Sequence, residues 1–136
     1  MTTIRPATAA DRDAAVGVWD ICQLTRPWND PLADFDRALV HDTSTILLAE
    51  DDGSVVGTAM AGFDGHRGWI YYLGVVPERQ RRGIARALLD AACDWLRQQD
   101  CPKVELMLRE GNPAAGLYER LGWDRQDVRV FARWLA

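Results

Sequence analysis

Apolar and polar positions change period several times along the chain. Thr45 to Glu50 and Val55 to Phe63 are rich in apolar and β-branched residues, and Asp51-Asp52-Gly53 between them is a turn signal, so the two segments predict an antiparallel hairpin. Asp64 to Gly68 predicts a second turn, and Trp69 to Val76, apolar throughout, predicts a central strand that Pro77 ends. Lys103 to Arg109 alternates, with Val104, Leu106 and Leu108 on one side and Glu105 and Met107 on the other. Thr3 to Arg5 predicts a first strand and Asp127 to Leu135 a last one. Helical spacing appears at Ala15, Val18, Trp19 and Cys22, after a capping signal at Thr8 and Asp11, in a helix expected to run to about Leu24. It recurs at Leu32, Phe35 and Leu39, where Asp30 caps and Pro31 opens a second helix. Ile84, Leu88, Ala92 and Trp95 share one face of a long helix from about Gly83 to Gln99, opposite Arg86, Asp90, Asp94 and Arg97. Asn112 and Pro113 announce a short final helix.

The order β-α-α-β-β-β-α-β-α-β is α/β. It predicts a mixed, mostly antiparallel sheet with a central parallel βαβ unit from Trp69 to Arg109 and flanking helices. With 136 residues and no repeat, low-complexity run or linker, one domain over 1–136 is expected. That length buries a core without metals or disulfides.

Composition narrows the function. No apolar run reaches the roughly 20 residues that span a bilayer, and Met1 to Pro6 lacks the apolar stretch of a signal peptide. Three cysteines (Cys22, Cys93, Cys101) with no Cys-x-x-Cys spacing, and only two histidines, argue against zinc and for a reducing, cytoplasmic setting. The net charge of −4 argues against nucleic acid as a partner. That charge is uneven: Glu78 to Arg86 carries +3 and the remainder −7. A basic cluster in an acidic chain suits a compact anion, although it also reads as a solvated helix start.

The segment Leu73-Gly74-Val75-Val76-Pro77-Glu78-Arg79-Gln80-Arg81-Arg82-Gly83-Ile84-Ala85 places that cluster between a strand end and a helix start. The first N–H groups of a helix lack internal partners and carry the positive end of its dipole. Gly83, without a Cβ, and the small Ala85 let a phosphate oxygen approach them, so the turn predicts a pyrophosphate cradle. There is no Gly-Lys-Ser/Thr and no G-x-G-x-x-G after the first strand, so the two common nucleotide motifs do not apply.

Gln80-Arg81-Arg82-Gly83-Ile84-Ala85, with the strand end before it, the amphipathic helix after it and the later Leu117-Tyr118-Glu119-Arg120-Leu121-Gly122-Trp123, resembles the GNAT family of N-acetyltransferases over nearly the whole chain. Arg26 to Pro31 and Asp64 to Gly68 resemble, more narrowly, the small bacterial YpeA-like acetyltransferases. The resemblance implies acetyl-CoA as co-substrate, no metal, and direct transfer of acetyl to a primary amine. It implies that the strands Trp69–Val76 and Lys103–Arg109 splay apart around the pantetheine arm. Cofactor contacts then fall to Leu73, Gly74, Val75, Gln80, Arg81, Arg82, Gly83, Ile84, Ala85, Arg86 and Asn112. It further implies that the Val75 N–H polarises the thioester carbonyl and that Tyr118 is general acid to the CoA thiolate.

Each residue also has a plainer reading. Tyr118, between Leu117 and Leu121, also reads as a core aromatic. Asn112, one residue closer to Tyr118 than the family's usual spacing, also reads as a helix cap. For the acceptor, the Trp28 and Asp30 loop offers a ring face and a charge to a cationic amine, or else Trp28 packs inward. Asp64 and His66 are further acceptor-site candidates. With Glu105 they are also candidate bases, since Met107 stands where many relatives carry glutamate; a base is dispensable if the amine arrives neutral. That same departure supports a second function, a non-catalytic acyl-CoA sensor or regulatory protein. A homodimer through Val128 to Leu135 is a further expectation.

Overall fold

The computed structural model describes residues 1–135. Its strands are β1 (Thr2–Pro6), β2 (Ser44–Asp51), β3 (Ser54–Phe63), β4 (Gly68–Val75) and β5 (Val104–Leu106), and its helices α1 (Arg12–Ile21), α2 (Pro31–Val40), α3 (Ile84–Gln98) and α4 (Ala115–Arg120). They form one five-stranded sheet in the order β1-β2-β3-β4-β5, antiparallel except for the parallel pair β4–β5. The α/β class and mixed sheet agree with the sequence pattern.

Alternation along β2 divides the core. Ile46 and Leu48 join Ala15 and Trp19 of α1 and Phe35 and Ala38 of α2. Leu47 and Ala49 face the other way, into a cluster with Ile84, Leu88, Leu89 and Ala92 of α3. Successive strand side chains point to opposite faces, so one strand supplies both layers. The Asp30 carboxylate caps α2 by accepting from the Ala33 N–H at 3.2 Å, as Asp-Pro predicts. In α2 the buried positions are Phe35 and Ala38, while Leu32 of the predicted stripe is exposed. The first helix stops at Ile21 rather than Leu24, because Gln23 takes a left-handed φ of 58°.

Three departures concern the sheet. Asp127 to Leu135 forms no strand: residues 124–135 have no regular secondary structure. Val128, Val130, Phe131, Trp134 and Leu135 are exposed there, so the alternating pattern is left without a strand partner. Without that sixth strand the parallel unit lies at an edge of the sheet rather than at its centre. Finally, β5 is three residues long instead of the seven of Lys103 to Arg109, and meets β4 only at Gly68↔Val104, Trp69↔Glu105 and Ile70↔Leu106.

Candidate active site

Because β5 ends at Leu106, the edge of β4 from Tyr71 to Val75 has no strand beside it. This explains why β4, apolar throughout in sequence, is not buried throughout: Tyr71 is 41% exposed and Tyr72, Leu73 and Gly74 are half-buried. The register with β3 shifts between Thr58 and Met60, and opposite that shift Tyr72 takes a left-handed φ of 50°. A bulge of this kind turns a strand locally, and a non-glycine residue held there stores roughly 1–2 kcal/mol of strain.

Four contacts hold the bulge. The Tyr72 ring stacks on Trp19 with centroids 3.8 Å apart and planes 9° from parallel. Its hydroxyl donates to Asp34 Oδ2 on α2 at 2.7 Å. Its carbonyl accepts from Thr58 Oγ1 at 2.7 Å, and Thr58 Oγ1 accepts from Trp19 Nε1 at 3.0 Å. Burial, and then the Asp34 carboxylate, push the Tyr72 phenol well above its usual range. The polar atoms of the buried Trp19 and Thr58 thus satisfy one another, as buried polar groups must.

Beyond the bulge the Val76 N–H donates to the Val56 carbonyl at 2.9 Å. Backbone groups of successive strand residues face opposite edges, so the Val75 N–H faces the open edge. The Val75 carbonyl accepts from Gln80 Nε2 at 3.0 Å. The Gln80 side chain therefore braces the strand end. A Cβ at Gly74 would meet Leu24 Cδ1 at 2.8 Å and Cys22 Cβ at 3.1 Å, so a side chain here would push on the segment that follows α1.

After β4 comes a short 3-10 turn, Pro77–Arg79, and then α3. Arg81 (φ 64°) and Gly83 (φ 78°) are both left-handed. This backbone folds successive N–H groups into a concavity that suits anions. Nothing lies within 4 Å of where a Gly83 Cβ would stand, so conformation and not packing selects glycine, and the space above it is open. The Ile84 side chain is buried in the core; only its N–H and those of Ala85 and Arg86, orphaned at the helix start, point outward. Arg79 is committed to Asp51 at 2.9 Å, a bond that lowers the Asp51 pKa and ties the loop to the β2–β3 turn. Arg81, Arg82 and Arg86 are exposed and meet no carboxylate among the described residues.

Tyr118 is buried in the cluster that also holds Val75 and Ile84, edge-on to Trp123 at 5.8 Å. Burial pushes its pKa up to about 12, and its hydroxyl has no hydrogen-bond partner among the described residues. It is a neutral donor with its proton uncommitted. The Asn112 side-chain oxygen accepts from the Ala114 N–H at 2.8 Å, which occupies it in the turn leading into α4.

The acceptor candidates are not brought together. Asp64 and His66 lie in the β3–β4 turn, at the opposite end of β4 from Val75, seven residues or about 23 Å of strand away. The Asp64 carboxylate accepts from the Arg67 and His66 N–H groups, 2.8 Å each, which lowers its pKa and makes it a poor base. Glu105 is ion-paired with Arg67 at 3.6 Å. Trp28 is 55% exposed rather than packed inward, and its ring face is occupied by the Arg109 guanidinium, 5.6 Å from the centroid. Sequence reasoning passed over Arg109, Thr58 and Tyr72. The clustering of Trp19 with Tyr72 was not visible because 53 residues separate them.

Residues 13–123 match the model of the acetyltransferase (GNAT) family. The chain belongs to this family. Solved structures agree on the fold. AAC(6')-Iy, in complex with the bisubstrate analog CoA-S-monomethyl-acetylneamine, superposes with a TM-score of 0.86 at 21% identity, over 100% of this chain and 99% of that one. A predicted acetyltransferase from Clostridium acetobutylicum, with acetyl-CoA, gives 0.82 at 19% identity over 98% and 96%. A ribosomal-protein-alanine N-acetyltransferase from Brucella melitensis biovar Abortus gives 0.77 at 22% identity over 98% and 99%. In this GNAT chain no group of three or more metal-ligating side chains occurs among the described residues, and no helix there is long and apolar enough to cross a membrane.

Proposed function

We propose that this GNAT protein transfers acetyl from acetyl-CoA directly to a primary amine of a small molecule, peptide or protein. The observation that carries the reading is an open β4 edge that leads straight into an uncompensated arginine cradle, as a pantetheine arm ending in a pyrophosphate requires. Arg81, Arg82 and Arg86, with the N–H groups of Gly83, Ile84 and Ala85, take the pyrophosphate. Leu73, Gly74 and Val75 line the arm as a neighbouring strand would, and Gln80 holds their end. Asn112 remains a candidate contact through its amide nitrogen.

The amine nitrogen attacks the thioester carbonyl, its C–N bond forms, and the Val75 N–H takes the charge that develops on oxygen. The C–S bond then breaks. Tyr118 donates its proton to the departing sulfur, and the proton lost by the acetylated nitrogen passes through solvent to restore the Tyr118 phenol. Trp28 and Asp30 border the acceptor entrance, with Asp64 and His66 within reach of an elongated acceptor only. The three free thiols suit a reducing, cytoplasmic setting.

The commitment of Asp64 to the turn and of Glu105 to Arg67 favours one second reading, a non-catalytic acyl-CoA sensor. Thermal unfolding with acetyl-CoA, against ATP and NAD as controls, tests the shared step. At 100 times its dissociation constant the cofactor adds about 2.7 kcal/mol, or roughly 9 °C for a domain of this size. A shift with acetyl-CoA alone, lost in Gly83→Glu, is expected. Thiol release on an amine panel then separates enzyme from sensor.

A further inference from the structure

The Tyr72–Leu73 peptide is trans, since no cis peptide bond occurs among the described residues. In a trans peptide the C=O and N–H point in opposite directions. Thr58 on β3 grips the Tyr72 oxygen at 2.7 Å, so the Leu73 N–H is turned away from β3, toward the edge that β5 leaves open after Ile70. The grip is itself held: Thr58 and Trp19 are both fully buried, and the indole N–H donates to the threonine hydroxyl at 3.0 Å. Stacking on Trp19 and the bond to Asp34 fix the Tyr72 ring from α1 and α2. One left-handed residue is therefore anchored by three elements.

We propose that Thr58, backed by Trp19, is a positioning residue that aims and polarises the Leu73 N–H as a second donor, beside that of Val75, to the thioester carbonyl oxygen. Hydrogen bonds in a chain strengthen one another. The indole N–H makes the threonine hydroxyl a better donor, and that hydroxyl, by drawing on the Tyr72 carbonyl, makes the N–H of the same peptide more acidic. The inference rests on the acetyl-transfer reading above. It adds a buried relay from α1 to the reacting carbonyl that a purely structural role for Trp19 and Thr58 does not require.

The test uses the full chain and acetyl-CoA carrying carbon-13 at the thioester carbonyl. Difference infrared spectra give the carbonyl stretch, bound against free, and titration gives Kd, for the wild type, Thr58→Val and Thr58→Ser. The wild type should show a downshift. Thr58→Val, of similar shape but without the hydroxyl, should lose at least half of it while Kd stays within about threefold, and Thr58→Ser should restore it. With any amine the wild type acetylates, kcat should fall about tenfold in Thr58→Val, part of the roughly hundredfold that loss of a whole oxyanion donor costs, with KM for acetyl-CoA little changed. An equal downshift in wild type and Thr58→Val overturns the inference and leaves acetyl transfer standing. A folded wild type that does not bind acetyl-CoA overturns the acetyl-transfer reading itself. Should Thr58→Val not fold, the wild-type Leu73 amide proton decides: it should move downfield with acetyl-CoA relative to CoA, and no movement sinks the proposal.

Discussion

Tyr118 combines two properties that pull on different measurements. Its ring is buried in the core, and its hydroxyl has no protein partner among the described residues. Removing that hydroxyl leaves the packing intact and orphans nothing, so Tyr118→Phe should change stability by less than about 1 kcal/mol. The same change should lower turnover about a hundredfold, with acetyl-CoA affinity nearly constant. Urea titration and single-turnover rates on one sample separate the two. The sequence already offered both readings of Tyr118, and they turn out to be compatible. Thr58 and Tyr72 were not legible as site residues. Their role comes from a left-handed φ and from contacts with residues far away in sequence, neither of which leaves a local pattern.

Among elements, the loop from β4 into α3 is where sequence and structure agree most closely, because its properties are local. Glycine before a helix, arginines beside it and proline after the strand act through immediate neighbours. The structure adds a division of labour. Arg79 braces the loop against Asp51, whereas Arg81, Arg82 and Arg86 stay free. Alanine at Arg82 should weaken acetyl-CoA binding with little effect on folding, and the loss should shrink as salt rises, since exposed charges are screened. Alanine at Arg79 should instead lower the unfolding temperature of the unliganded protein. Gly83→Ala should cost roughly 1–2 kcal/mol through backbone strain alone, as no atom crowds its Cβ. Isothermal titration at two salt concentrations, with thermal unfolding, checks all three.

At the scale of the molecule, titration and association are the informative properties. Tyr71, Tyr72 and Tyr118 have pKa values raised by burial. Above pH 10 the unfolded chain releases these protons while the folded one keeps them, so stability should fall as pH rises from about 10 toward 12. Asp11 and Asp51 are lowered by hydrogen bonds from Arg5 and Arg79, and Asp64 by backbone N–H groups. Their contribution is present above about pH 4 and should be lost as pH falls through their depressed folded values. Urea midpoints across pH test both limbs. The exposed apolar arm of residues 124–135 supports the homodimer as a proposal: two copies could pair these strand-forming segments with one another's open edges. Light scattering should show a dimer that ending the chain at Trp123 converts to a monomer. A monomeric full-length chain removes the proposal.

The sequence by itself determined the kind and order of nearly every element, the cap of α2, and the glycine turn with its arginines before α3. Each depends on steric and hydrogen-bonding preferences among residues a few positions apart. Tertiary structure alone decided that β5 stops at Leu106, that β4 bulges at Tyr72, that Arg109 covers Trp28, and that the last predicted strand stays unpaired. Those outcomes depend on which edges and rings meet across tens of residues. Alternating hydrophobicity makes a segment fit for a sheet, but only a partner at its edge makes it a strand.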